Sequence, residues 1–150
     1  MKRFFFPLRS VAVLRAHAEL RAREAFAAAV QDFVAASLRH DESRSHLATL
    51  EEVLFAARHG RFEAAGAAAQ FRAYRTECAE AQTVATALNA ARAEMDRRRE
   101  AYLEAHRELK LMERLETRAR SAHHAAAAHA EQGELEELAG HRAGRLRLHP

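Results

Sequence analysis

The 150-residue chain has no tryptophan, one cysteine, two prolines and five glycines, and each scarcity removes a class of structure. Pro7 and Pro150 bracket a run of about 140 residues without proline, whereas a compact fold of that length needs turns that proline and glycine supply. Cys78 alone permits no internal disulfide, and the chain has no Cys-x-x-Cys pair, so nothing points to an oxidising compartment or redox chemistry. The expected location is cytoplasmic. No stretch approaches the uncharged ~20 residues that cross a bilayer, so membrane association would be peripheral or through a partner. The opening Met1 to Arg9 superficially resembles a signal peptide, but Arg9 and Arg15 break its apolar run too early, and secretion is rejected.

What is present is helix-forming. Roughly a quarter of the residues are alanine, and leucine, glutamate and arginine make up about half of the rest. The formal charge is only +3 despite a pI near 9.6, because glutamate is interleaved with arginine. That pattern favours protein partners. Lys2 and Lys110 are the only lysines, and arginine is the better residue for forked contacts to carboxylates or for lying over apolar surface.

The apolar positions Val11, Leu14, Ala18, Ala22, Phe26, Val30 and Phe33, then Leu47, Leu50 and Leu54, recur at spacings of three and four, which predicts one amphipathic helix over about 8–58. The polar segment His40 to His46 interrupts the stripe, as a solvated stretch or a local kink. Gly60 and Gly66 flank a predicted tip at about 59–66, where glycine supplies the left-handed cap of a chain reversal. The second helix is predicted over about 67–132. Tyr74, Ala81, Leu88, Met95, Tyr102 and Leu109 are each seven apart there, with Val84, Ala91, Ala105, Met112 and Ala119 in the companion positions. Leu88, Met95, Tyr102, Leu109 and Met112 are the expected coiled-coil seam, interrupted by the charged Arg98 and Glu116. The pairs Glu19 with Arg23, Glu94 with Arg98 and Glu116 with Arg120 have the favourable four-residue spacing and read as exposed helix support. Gly133, Gly140 and Gly144 puncture the pattern, so 133–150 reads as a short helical segment and a basic tail. The predicted fold is all-α: a single antiparallel two-helix coiled-coil hairpin with a short C-terminal helical tail.

Chemistry is hard to place on such a chain. The glycines are not arranged as a phosphate loop, and nucleotide binding is not expected. Among ten histidines, His123, His124 and His129 are densest, but no pair of them has the four-residue spacing that sets two imidazoles over one ion, so no metal and no cofactor is expected. Cys78 lacks the base and pocket a nucleophile needs, and no catalytic residue is identified. The run Arg97-Arg98-Arg99 and the tail Arg142, Arg145 and Arg147 could contact phosphates, but Glu94, Asp96 and Glu100 dilute the first and the second is short. Phe62, Phe71 and Tyr74, with Leu50, Leu54 and Phe55 opposite, either pack the tip together or form an exposed apolar patch.

Three segments carry a resemblance. Phe6-Pro7-Leu8-Arg9-Ser10-Val11-Ala12-Val13-Leu14-Arg15, followed by Glu19, Arg23, Glu24 and Ala25, resembles the opening of the flagellar export protein FliJ family. Arg107-Glu108-Leu109-Lys110-Leu111-Met112-Glu113-Arg114-Leu115 resembles that family's basic Leu-Glu-x-Leu segment, and Glu131 to Ala139 resembles its closing Glu-Gln-x-x-Leu-Asp-Glu-Leu-Ala element. The resemblance implies a noncatalytic stalk and chaperone of the flagellar type III export apparatus, at the cytoplasmic face of the inner membrane. Its implied partners are a hexameric FliI-like export ATPase, the cytoplasmic domain of a FlhA-like export gate, and other export chaperones. Carried onto this chain, ATPase contacts would fall to Arg9, Arg15, Arg21, Arg23, Arg114, Arg118 and Arg120, and gate contacts to Leu50, Leu54, Phe71 and Tyr74. The related YscO group of virulence secretion stalks shares the architecture. The rivals are a generic coiled-coil scaffold and a basic nucleic-acid-binding rod.

Overall fold

In a computed structural model the chain is described over residues 3–59 and 64–147, with side chains of 64 and 143–147 left aside. Two helices account for nearly all of it: α1, Arg9–Arg58, and α2, Ala64–Arg147. Among the described residues there is no strand, and the fold is an all-α two-helix hairpin. Helix α1 begins where Pro7 ends the extended lead-in. The Leu8 carbonyl accepts the first helical bond, from the Ala12 amide at 2.9 Å, while the Arg9 amide turns back to Phe6 O at 3.2 Å. At the other end the His59 ring donates to the Phe55 carbonyl at 3.0 Å, satisfying one of the acceptors a helix terminus leaves open. The cap expected of Gly60, and the contribution of Phe62 to the tip, lie outside the described residues.

Two expectations change, and one left open is resolved. Gly66 belongs to α2, which begins at Ala64, and not to the tip. The helix does not stop at 132. It runs through Gly133 and Gly140 to Arg147, because a glycine inside a helix costs only about 1 kcal/mol against alanine and strong helix formers flank each one. The polar segment from His40 to His46 leaves α1 unbroken, with His40 and Ser43 half-buried on the inward face and the other residues exposed.

The chain divides into two compact units, each taking a part of both helices: Met1–Glu19 with Ala105–Pro150, and Leu20–Glu104. In both, the helices run antiparallel. In the first unit Phe4 meets His123, Arg15 meets Glu108 and Glu19 meets His106. In the second, Phe26 stacks on Tyr102 at 6.0 Å, His46 lies 3.2 Å from Glu77, and Tyr74 reaches Glu51.

The inward face of α1 follows a heptad. Ala22, Ala29 and Ala36 alternate with Phe26, Phe33, Leu47 and Leu54, all half-buried except Ala29, which is buried. On α2, Leu88, Met95, Tyr102 and Leu109 are half-buried and Met112 is buried. Among the described residues only Phe6, Ala29 and Met112 are buried apolar side chains, so the core is thin. The stripe inferred for the start of α1 is displaced. Ala12 and Glu19 occupy inward positions there, while Val11 and Leu14 are exposed, Leu14 to 67 %. Three-and-four spacing alone does not distinguish the two faces when alanine, which fills the inward positions, is common on both.

Candidate partner-binding surfaces

The first unit is held by polar contacts between its helices. Glu19 is buried, and its carboxylate accepts from His106 Nδ1 at 3.3 Å. It is therefore not the exposed partner of Arg23 that its spacing suggested. Arg15 reaches across to Glu108. Arg120 is engaged twice, donating to Glu116 at 3.1 Å and lying 5.5 Å from the centre of the Phe4 ring, a cation–π geometry. His123, edge-on to Phe4, has a buried Nδ1 without a hydrogen-bond partner among the described residues.

These contacts sort the candidate arginines. Arg9, Arg15, Arg114, Arg118 and Arg120 lie in the first unit, whereas Arg21 and Arg23 lie in the second, exposed on α1. Arg15 and Arg120 are committed within the chain. Arg114 and Arg118, one helical turn apart, line a shallow groove on α2 with Lys110, Glu113, Thr117, Ser121, Ala122 and Ala125. Lys110 is bound to Glu113 at 2.7 Å, so the two arginines are the groove's free cations among the described residues.

Beside these charges lies an apolar face that heptad reading missed. Val11 is one turn from Arg15, and Leu111 and Leu115 are one and two turns from Glu108, so the Arg15–Glu108 pair places all three on one side of this unit. Leu14 adjoins them. All four are exposed, Leu111 to 57 %. The sequence signal was available: Leu111 and Leu115 fall off the Leu109 and Met112 positions of the α2 heptad.

The second unit carries an aromatic cluster near the ends of α1 and α2. Leu54 and Tyr74 are half-buried, Phe71 is exposed, and these line a depression with Glu51, Phe55 and Arg58. Leu50 is half-buried on the inward face. Phe55 is 67 % exposed and its ring centre is 4.8 Å from that of His59. The Tyr74 hydroxyl donates to Glu51 Oε1 at 2.8 Å, and that bond, with a further one to Cys78, pushes its pKa up to about 12. Both readings of the cluster thus hold in part: Leu50, Leu54 and Tyr74 pack, while Phe55 and Phe71 face out.

Elsewhere in this unit the Arg97-Arg98-Arg99 run is largely neutralised. Arg97 and Arg98 both donate to Glu94, at 2.9 and 2.6 Å, and hold its carboxyl below the usual range. Arg98 and Glu116, the charged seam positions, each bind a partner one turn away on their own helix. Among the described residues no group of histidine, cysteine, aspartate and glutamate could hold a metal ion, and no helix is long and apolar enough to cross a membrane.

A model of the flagellar FliJ protein family matches residues 4–147. No curated protein and no solved structure matches the chain.

Proposed function

The chain belongs to the flagellar FliJ protein family, and from that membership we propose that it acts as a stalk and chaperone joining the export ATPase ring to the export gate. It is a component of the flagellar export apparatus and belongs to a family of non-enzymatic export proteins. The first unit engages the ATPase hexamer. The observation that carries this reading is the pairing of two unengaged cations, Arg114 and Arg118, with an apolar face of Val11, Leu14, Leu111 and Leu115 on the same unit. Arginine heads supply forked bonds to acidic loops, and the leucines supply area that is released from water on contact. Arg9, Arg21 and Arg23 are auxiliary contacts, and Arg15 and Arg120 hold the hairpin in register.

Gate binding is assigned to the exposed aromatics of the second unit, Phe55 and Phe71, supported beneath by Leu50, Leu54 and Tyr74. Large rings on a solvated surface are the usual anchors of a protein interface. The mechanism is noncatalytic: a chain that binds the assembled ring better than its separate subunits favours assembly by mass action. Its place is the cytoplasmic face of the inner membrane, held there through the apparatus.

The test is the rate and oligomeric state of the cognate export ATPase at rising concentrations of this chain. The native chain is expected to promote ring formation and turnover, and Arg114→Glu with Arg118→Glu to abolish both without changing helicity. Full stimulation by that double variant would remove the groove from the ATPase contact.

A further inference from the structure

Past Ala127, α2 lacks cover within its unit. From Ala128 to Arg142 every side chain is exposed, Leu135 to 67 % and Leu138 to 62 %, and Gly133 is half-buried. Ala128, Glu131, Leu135, Leu138 and Arg142 recur at spacings of three and four and form one stripe along the helix. The same segment is charged in blocks. Glu131, Glu134, Glu136 and Glu137 come first, and His141 and Arg142 follow. Apart from Gln132 bound to Glu136, the side chains of Glu131, Glu134 and Arg142 make no hydrogen bond or ion pair with described residues.

We propose that this stripe is a docking surface for a second copy of the chain, the two α2 ends pairing antiparallel around Leu135 and Leu138. The register that sets Leu135 against Leu138 of the second copy also sets Glu131 against its Arg142, and Glu134 close to its His141. The two-fold axis repeats each of these contacts, so four leucines are framed by two carboxylate–guanidinium pairs. A parallel pairing would set acidic block against acidic block. Antiparallel pairing matches both blocks at once, and this self-complementarity names a second copy as the occupant. Gly133 and Gly140 fall on the outer side of the pairing, where a Cβ would meet nothing in this chain.

Few turns contribute, so the contact is small and the dimer weak, dissociating on the order of tens of micromolar. Sedimentation equilibrium of the full chain between about 5 and 500 µM tests it, with circular dichroism to confirm that each variant keeps its helix. The native chain is expected to shift from monomer to dimer across that range. Leu135→Glu, Glu131→Arg and Arg142→Glu should each weaken association about tenfold or more, and Glu131→Arg combined with Arg142→Glu should restore it. A chain monomeric throughout overturns the proposal, as does a dimer indifferent to Leu135→Glu. Failure of the double reversal to restore pairing overturns the register. A monomeric native chain whose Leu135→Glu variant no longer stimulates the export ATPase would give the stripe to that partner instead.

Discussion

The unit holding the start of α1 and the later part of α2 buries a carboxylate along with Phe6 and Met112 and leaves Leu14 and Leu111 outside, whereas the unit holding the rest of the hairpin buries Ala29 and lines its seam mainly with half-buried alanine and large apolar side chains. In the first, Glu19 is buried against His106 while Leu14 and Leu111 face water. In the second, Ala29 is buried and Phe26 stacks on Tyr102, and the Arg97 and Arg98 charges are spent on Glu94 at the surface. An inward carboxylate beside outward leucines is the arrangement that burial energetics alone disfavours. The second unit also leaves Val34, Leu38, Val53, Phe55 and Phe71 exposed, so what sets the first unit apart is its inward carboxylate.

The sharpest way to probe this difference is to remove packing from each side. Met112→Ala and Phe26→Ala should each lower unfolding free energy by about 2–4 kcal/mol in urea denaturation, the buried Met112 by as much as the larger but half-buried Phe26. A negligible loss at Met112 would mean that the first unit's core contributes nothing to holding its helices together.

Next comes the buried polar pair. Glu19→Ala should cost about 1–3 kcal/mol, because a hydrogen bond between the helices is lost at a site where the carboxylate is shielded from water. Glu19→Leu with His106→Leu should recover most of that loss, since replacing both members with apolar groups is often neutral or better. If the single and double variants are equally unstable, the pair is incidental and the backbone geometry sets the register.

The comparison also explains what could be read from residues alone. The second helix was legible because Tyr74, Leu88, Met95, Tyr102 and Leu109 are large and seven apart, so the pattern stands out against alanine. At the start of α1 the inward positions hold Ala12 and Glu19, one silent and one misleading, and the nearby Val11 and Leu14 imposed a false stripe. Glu19 had a lawful helical partner in Arg23, and nothing local revealed a histidine 87 positions along. Gly133 reads as a helix stop, although its neighbours Glu131 to Ala139 favour helix strongly enough to carry α2 through it. Among the arginines, sequence could pick the residue type but not which heads Glu108 and Glu116 would occupy.

Smaller effects refine the picture. Gly133→Ala and Gly140→Ala should each stabilise the end of α2 by up to about 1 kcal/mol, seen as slower amide exchange there, because the added methyl meets open space. Slower exchange confined to the second unit would contradict a local origin.

The smallest prediction concerns pH. Tyr74 has a folded pKa of about 12 against an ordinary value of 10.0, so its bond to Glu51 stabilises fully below pH 10 and is lost as pH rises through 12. In a Tyr102→Phe background, ultraviolet titration should give that value for the remaining tyrosine, and Glu51→Gln should bring it back toward 10.0. An unchanged titration in the Glu51 variant would assign the shift to Cys78.

The division of labour between the two units is tested most directly by a photo-crosslinking residue placed in turn at Leu111, Arg118, Phe55 and Phe71 in the assembled export apparatus. Positions 111 and 118 are predicted to capture the export ATPase, and positions 55 and 71 the export gate. Capture of the ATPase from position 71, or of the gate from position 111, would contradict the assignment of one partner to each unit.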